Sequence, residues 1–190
     1  MKFINNSSDL AKFLSIKIIR QSKITNISTD TRGLKVGSLF FAIKGEQFNG
    51  NDYVEDALKK GASFVVTDSS RFKSTNDKNI IYVNNTIVAL RKIAKNILKK
   101  FNGDVIGITG SNGKTTTTKI ISSVLNKSSG TIKNYNNEIG MPLSIINANT
   151  NSKYLVIEMG AAKPKDIQYL SSLLKPNIGL ITNIGNSHLE

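Results

Sequence analysis

A chain of 190 residues with 39% hydrophobic side chains can build one large domain or two small ones. The absence of cysteine excludes a disulfide framework and a thiolate metal site, and no apolar run has membrane-spanning length or the pattern of a signal peptide. We therefore expect a cytoplasmic protein without a membrane span. The net charge of +13 comes mainly from scattered lysines, which favours small anionic substrates over nucleic acid.

The N-terminal part alternates helical and strand patterns, which is typical of an α/β unit. A short helix leading into a strand is predicted within residues 1–25, followed by a polar, turn-prone segment up to Gly33. Asp52 is predicted to cap a helix that stops at Gly61. Apolar runs bounded by glycine or polar residues predict three strands, at 37–45, 62–67 and 80–83.

An amphipathic helix is predicted from the polar residues 84–86 to about Lys100, with its basic side chains on the solvated face. A turn over 101–103 ends this helix. The chain is therefore predicted to have three parts: an N-terminal domain over 1–83, a helical linker over 84–103 and a second domain over 104–190.

The second domain begins with a strand, a glycine turn and a helix in immediate succession. The apolar run 105–108 is followed by the turn 110–113, and Lys114 and Thr115 come next. Glycines let a backbone approach an anion closely, and the first N–H groups of a helix have no partner within it. This order predicts a phosphate-binding loop, with Lys114 reaching the terminal phosphates and the Thr115 hydroxyl on a magnesium ion.

The loop departs from the common form of this motif. It reads G-x-x-G-K-T, and Ile108 stands where the first glycine of the common form would be. A plain structural turn is the alternative interpretation. The helix after the loop is predicted to bury one apolar face, formed by Ile120, Ile121, Val124 and Leu125.

Further alternation of strands and helices predicts a parallel sheet in the second domain. Strands are predicted at 131–135, 154–160 and 178–182. An irregular polar loop is predicted over 136–142, a helical turn over 143–146 and a helix over 164–174 with Pro164 in its first turn. Ligands of such a sheet bind beyond the carboxyl ends of its strands.

Two side chains at strand ends are candidates for chemistry. Glu158 ends an apolar strand and would supply oxygen ligands to magnesium, unless it is a solvated strand-end carboxylate. His188, the only histidine, follows the last strand and would hold a second metal or orient a phosphate; a surface histidine is the alternative.

Two polar loops are candidates for substrate binding. The side chains of Asn136, Asn137 and Glu138 suit a polar substrate or turn formation equally well. Arg32 follows Asp30 and Thr31, and its guanidinium suits a phosphate or carboxylate, although an exposed loop arginine is the more common case.

Taken together, these motifs resemble the Mur ligases, the ATP-dependent amide ligases of peptidoglycan precursor synthesis. The resemblance covers nearly the whole chain. Its segments are 28–32, 37–45, 61–62, 108–116, 136–142, 157–160 and 182–190. The segment 136–142 resembles the signature of the branch that joins D-alanyl-D-alanine to UDP-N-acetylmuramoyl-tripeptide through an acyl phosphate, more than that of the sister branch that adds one amino acid.

The resemblance implies a small N-terminal α/β domain for the UDP-linked substrate, followed by part of a parallel-sheet ATP-binding domain. ATP would be bound by Gly110, Ser111, Asn112, Gly113, Lys114, Thr115, Thr116 and Asn183. Magnesium would be bound by Thr115, Glu158 and His188, with Lys114, Glu158 and His188 as the catalytic groups. The UDP-linked substrate would be held by Thr31, Arg32, Lys44 and Gly45, and its peptide by Asn137 and Glu138.

The sequence departs from the family pattern at two places. The usual Asp-Gly-His of the first domain reads Asn49-Gly50-Asn51. The family's modified lysine, its adenine-binding groups and its C-terminal domain would all lie beyond Glu190. We therefore expect the chain to be inactive alone, and a split ligase with a separate C-terminal fragment and a truncated gene product are both open explanations. A non-catalytic nucleotide-binding fragment and, on charge alone, a nucleic-acid binder are the open alternatives.

Overall fold

The computed structural model describes residues 2–45 and 47–185, and within them two four-stranded parallel sheets carry the fold. The predicted α/β class with parallel sheets is confirmed. Residue contacts divide the chain into two compact units, Ile4–Ile93 and Met1–Phe3 with Ala94–Glu190. This division falls inside a helix, and the domain limits expected from the sequence stay a prediction.

The N-terminal unit contains the first sheet, in the order β1-β2-β3-β4 with every pair parallel. Its strands are β1 (Ile27–Ser28), β2 (Leu39–Phe41), β3 (Phe64–Thr67) and β4 (Ile80–Tyr82). Its helical segments are α1 (Ser7–Leu14), α2 (Val54–Lys59), α3 (Thr86–Leu98) and two short 3-10 helices, Gly50–Tyr53 and Ser70–Phe72. The unit division lies within α3.

The two inner strands of this sheet are buried along their whole length. A parallel sheet that is covered on both faces needs continuous apolar strands, and β2 and β3 have that composition. Phe40 and Val65 belong to one core cluster with Val54 and Ala57 of α2. This packing fixes the carboxyl ends of β1, β2 and β3 at one edge of the sheet.

The second unit contains the other sheet, in the order β6-β7-β5-β8, again with every pair parallel. Its strands are β5 (Asp104–Thr109), β6 (Ser128–Gly130), β7 (Tyr154–Glu158) and β8 (Ile178–Ile181). Its helices are α4 (Lys114–Val124), α5 (Gly140–Ile146) and α6 (Asp166–Leu174). The glycine loop lies between β5 and α4, as predicted.

The structure corrects the prediction near the N-terminus. Helix α1 ends at Ser15, which has φ 57° in the left-handed region, and residues 16–25 form no strand. The strand is instead Ile27–Ser28, within the segment predicted as a turn, where it pairs with β2. Asn49 and not Asp52 caps the turn before α2, since its side chain accepts the N–H of Asn51.

Three predictions in the second unit are also wrong in detail. The strand expected at 131–135 lies at Ser128–Gly130, a polar edge strand that forms through its pairing with β7. The helix expected from Pro164 begins at Asp166, after Lys165 in the left-handed region. Helix α5 begins at Gly140, inside the predicted loop, and all seven of its residues are buried.

The apolar face predicted for α4 is only half right. Ile121 and Leu125 pack against the cluster of Ile106, Ile108 and Val156. In contrast, Ile120 is 57% exposed and Val124 is 74% exposed in the described structure. Separately, no helix among the described residues combines the length and the apolar character needed to cross a bilayer.

The start of α3 is held by polar groups, as the residues 84–86 predicted. The Asn85 side chain accepts the N–H of Val88 at 2.9 Å. Asp68, at the end of β3, accepts both the N–H and the hydroxyl of Thr86 at 3.0 Å. Burial raises the pKa of Asp68, but hydrogen bonds from Thr86 and Asn51 outweigh burial and bring it below its ordinary value.

The Asp68 contacts predict a pH-dependent contribution to stability. Because its pKa is lower in the folded than in the unfolded chain, ionised Asp68 stabilises the fold above an unfolded pKa of about 4, and this contribution is lost as pH falls through the folded pKa. We expect Asp68→Asn to lower the free energy of unfolding by about 1 kcal/mol at pH 7 and by less at pH 3. Urea unfolding followed by circular dichroism at both pH values measures the difference.

A matched control is Asp77→Asn, which alters an exposed carboxyl in the loop before β4. Its urea midpoint at pH 7 should stay near that of the wild type. An Asp68→Asn chain that loses as much stability as the wild type between pH 7 and pH 3 would contradict the assignment.

Candidate functional site

The glycine loop has a backbone that only glycine adopts easily. Gly110 has φ +140° and Gly113 has φ +79°, both outside the range that side-chain-bearing residues favour. A Cβ atom on Gly110 would lie 2.1 Å from the Thr182 hydroxyl oxygen, closer than any real contact. The loop therefore needs glycine at position 110 both for its backbone angle and for its approach to the chain after β8.

The segment after β8 braces this loop from the side. The Thr182 hydroxyl donates to the carbonyl of Asn112 at 2.6 Å. Asn183 accepts the N–H of Asn112 on its side chain at 2.8 Å and the N–H of Ser111 on its carbonyl at 3.1 Å. The Ser111 hydroxyl exchanges two hydrogen bonds of 2.9 Å with the backbone of Gly185.

This bracing limits which of the predicted ATP-binding groups are available to a ligand. The N–H groups of Ser111 and Asn112 already bind Asn183, so they are occupied in this structure. The first N–H groups of α4 have no partner within the helix and remain the natural anion donors. Asn183 thus acts on the loop itself, a role that the sequence did not indicate.

Lys114 folds back over the loop. Its Nζ atom donates to the carbonyl oxygens of Gly110 at 2.6 Å and Ser111 at 3.1 Å. Lys114 also lines an open cavity of about 390 Å³ together with Lys163 and Asn183. The ammonium group therefore sits at the mouth of the loop, where a polyphosphate would meet it.

Glu158 is buried and hydrogen-bonded on both oxygens. It ends β7 beside Ile108 of β5, and only 2% of its surface is exposed. Oε2 accepts the Thr115 hydroxyl and Oε1 accepts the Asn136 amide, each at 2.8 Å. The carboxylate is therefore fixed against the start of α4 and is not a solvated strand-end group.

Asn136 is the member of its loop that the structure brings to the site. Its carbonyl accepts the N–H of Gly160 at 2.8 Å, and a Cβ atom at Gly160 would lie 2.8 Å from the Asn136 side chain. Asn137 instead accepts the N–H of Gly140 at 2.8 Å, and Glu138 is exposed. The contacts of Asn137 are those of a turn at the start of α5, the alternative interpretation of its sequence.

The pair Thr115 and Glu158 suits magnesium. This ion takes oxygen ligands, usually one or two from protein together with phosphate and water. No group of three histidine, cysteine or acidic residues that could hold a metal occurs in the described part of the chain. A magnesium ion here would therefore take its other ligands from phosphate and water. His188, the predicted second metal ligand, lies outside the described residues.

The N-terminal unit has its own cavity, of about 300 Å³, at the carboxyl ends of β1 and β2. Thr31 and Arg32 line it, and their binding of the UDP-linked substrate stays a prediction. Arg32 is paired with Asp30 at 2.7 Å, and this hydrogen bond and charge raise the pKa of the guanidinium above its ordinary value. Thr31 is buried, and its carbonyl accepts the Lys60 ammonium at 3.1 Å.

Other predicted residues of this substrate site lie beside the cavity. Lys44 is exposed, and the N–H of Gly45 donates to the carbonyl of Phe48 at 2.8 Å, but neither Lys44 nor Gly45 lines the cavity. The aromatic residues Phe48 and Tyr53 do, and they are 70% and 41% exposed. Aromatic residues within a polar segment that contains Gly45 and Gly50 were a sequence signal that could have indicated them.

Comparison with protein families gives one family for both units. The model described as "Mur ligase family, catalytic domain" matches residues 23–101, and the model "Mur ligase middle domain" matches residues 108–190. A relative from Buchnera aphidicola is 40% identical over 200 residues and carries the name UDP-N-acetylmuramoyl-tripeptide–D-alanyl-D-alanine ligase. That match covers 93% of this chain and 43% of the relative.

Solved structures give the same result. A MurF structure from Acinetobacter baumannii is similar with a TM-score of 0.83 and 28% identity, covering 98% of this chain and 43% of that one. A MurF ligase from Thermotoga maritima in complex with ADP is similar with a TM-score of 0.74 and 34% identity, covering 87% of this chain and 39% of that one. The chain therefore belongs to the Mur ligase family, with sequence of its N-terminal and middle domains.

Proposed function

We propose that this chain supplies the UDP-substrate and ATP-phosphate sites of a ligase that joins D-alanyl-D-alanine to UDP-N-acetylmuramoyl-tripeptide. The buried Glu158, hydrogen-bonded to the Thr115 hydroxyl beside the glycine loop, is the observation that carries the proposal. The chain spans 43% of the length of its Buchnera relative, so the rest of such a ligase would come from sequence that the match does not include. A cytoplasmic location, where ATP is abundant, stays part of the proposal.

In this ligase the substrate carboxylate attacks the terminal phosphorus of ATP, giving an acyl phosphate and ADP. The amine of D-alanyl-D-alanine then attacks the acyl carbon, and phosphate leaves. Such a reaction depends on positioning and on neutralising phosphate charge. The N–H groups at the start of α4 would bind phosphate oxygens, and Lys114 would turn from two loop carbonyls to the terminal phosphate.

Magnesium, when bound, would neutralise charge on the phosphate oxygens. Thr115 and Glu158 would hold it, exchanging their mutual hydrogen bond of 2.8 Å for bonds to the ion. Asn136 keeps the second oxygen of Glu158 in place through that exchange. His188 is proposed for a second metal, on the resemblance alone.

The N-terminal cavity would take the uridine nucleotide of the substrate. The Arg32 guanidinium would exchange its exposed pairing with Asp30 for a phosphate, and Phe48 or Tyr53 would stack on the base. Lys44 and Gly45, which do not line the cavity, are proposed for the same substrate on the resemblance alone. We propose Asn137 and Glu138 as neighbours of the peptide end.

Removal of the loop lysine should weaken ATP binding. We expect Lys114→Met to raise the Kd of magnesium–ATP about 10- to 100-fold, because a charge-assisted hydrogen bond to phosphate is lost. Isothermal titration calorimetry on the 190-residue chain measures this. The control is Lys119→Met, an exposed lysine on the same helix, which should bind as the wild type does. Equal affinity in all three chains would overturn the assignment of the loop.

Neutralisation of Glu158 should reduce the effect of magnesium. We expect magnesium to raise ATP affinity much less in Glu158→Gln and Thr115→Val than in the wild type, since each variant loses one of the two protein ligands. The wild type and Thr115→Ser, which keeps the hydroxyl, should bind ATP more tightly when magnesium is present. Titrations with and without magnesium, each with a thermal melt to check folding, decide this. Undiminished magnesium dependence in Glu158→Gln would contradict the site.

The full reaction needs the part of the ligase that the match does not cover. We expect the 190-residue chain alone to release no phosphate from ATP with both substrates present, whereas the chain joined to the remaining sequence of the Buchnera relative should release it. A phosphate-release assay compares the two, with Lys114→Met in the joined protein as the inactive control. A joined protein that binds magnesium–ATP and both substrates without releasing phosphate would refute the proposed activity.

A further inference from the structure

One wall of the N-terminal cavity is formed by residues 47–53, which lead into α2 and are called the cavity loop here. Phe48, Gly50 and Tyr53 of this loop line the cavity. A backbone hydrogen bond anchors this loop at one point: the N–H of Gly50 donates to the carbonyl of Ile43 at 2.8 Å. A Cβ atom at Gly50 would lie 2.6 Å from the backbone of Ile43, so the loop packs directly against the chain that follows β2.

The other anchor is Asn51, which does not line the cavity. Its amide nitrogen donates to the carboxylate of Asp68 at 2.9 Å and to the side chain of Asn49 at 3.1 Å. Its amide oxygen accepts the hydroxyl of Thr67 at 2.6 Å. Asn51 therefore ties the cavity loop to the carboxyl end of β3 with one donor group and one acceptor atom.

The partners of Asn51 are themselves fixed. Thr67 is fully buried at the end of β3. Asp68 uses its second oxygen for the N–H and hydroxyl of Thr86 at the start of α3. The loop is thus joined to rigid elements of the same unit, which is what a precise binding wall requires.

We propose that Asn51 is a positioning residue for the uridine nucleotide: through Thr67 and Asp68 it holds the 3-10 helix Gly50–Tyr53 in the place where Tyr53 meets the ligand. The inference rests on the proposed uridine-nucleotide site in this cavity. An amide is suited to the position because it donates to a carboxylate and accepts from a hydroxyl at once.

The same chemistry defines which replacements can work. Alanine offers neither a donor nor an acceptor, so Asn51→Ala tests the loss of the tie. The double variant Asn51→Asp/Asp68→Asn tests its restoration, because the new amide at position 68 can donate to the carboxylate at position 51, which still accepts from the Thr67 hydroxyl.

The experiment is calorimetric titration of the 190-residue chain with UDP and, separately, with magnesium–ATP. We expect Asn51→Ala to raise the Kd of UDP about tenfold, because the 3-10 helix that carries Tyr53 is no longer held in place, and Asn51→Asp/Asp68→Asn to restore it to within about threefold of wild type. Asn79→Ala, in the loop before β4, is the matched control and should bind UDP normally. The Kd of ATP should stay unchanged in every variant, because its site is in the other unit.

The outcomes separate the inference from the proposal on which it rests. A wild-type chain that binds ATP but not UDP would refute the uridine site itself, and the inference with it. Wild-type UDP affinity in Asn51→Ala, or an Asn51→Asp/Asp68→Asn chain that binds UDP as poorly as Asn51→Ala, would refute the role of Asn51 alone. Parallel loss of UDP affinity, ATP affinity and melting temperature would show a structural residue instead and would also refute it.

Discussion

The candidate ATP site depends on the parallel pairing of β5 with β7. Their register sets Ile108 beside Glu158, and the glycine loop that follows β5 brings Thr115 back over the same edge of the sheet. The hydroxyl and carboxylate then meet at 2.8 Å although they are 43 residues apart in the chain. Burial of Glu158 is tolerable only because both of its oxygens accept hydrogen bonds, so the loop, the strand and Asn136 are fixed together.

The two sheets follow the same physical rule. In each sheet, strands that are buried on both faces leave polar groups to collect beyond their carboxyl ends. In the N-terminal unit this edge holds the cavity with Arg32 and the tie made by Asn51, and in the second unit it holds the glycine loop and Glu158. The apolar strands decide at which edge of the sheet polar side chains can gather, and the loops at that edge would decide which ligand is bound.

The glycine loop is held in place by hydrogen bonds to a segment that is distant in sequence. Thr182 and Asn183 occupy the carbonyl and N–H of Asn112, and the space beside Gly110 is already filled by the Thr182 hydroxyl. A loop that is held in this way is ordered before any ligand binds, which would lower the entropic cost of binding the proposed polyphosphate.

The sequence by itself determined the α/β class, the strand–glycine–helix order at 104–115 and the carboxylate at the end of β7, because hydrophobic periodicity and glycine turns are local properties. Only the tertiary structure decided that β6 is Ser128–Gly130, that Asn136 rather than Asn137 meets Glu158, and that Ile120 is exposed. Each of these depends on which neighbour an element packs against. That choice is made by strand pairing and burial across the whole unit, and no window of local sequence contains it.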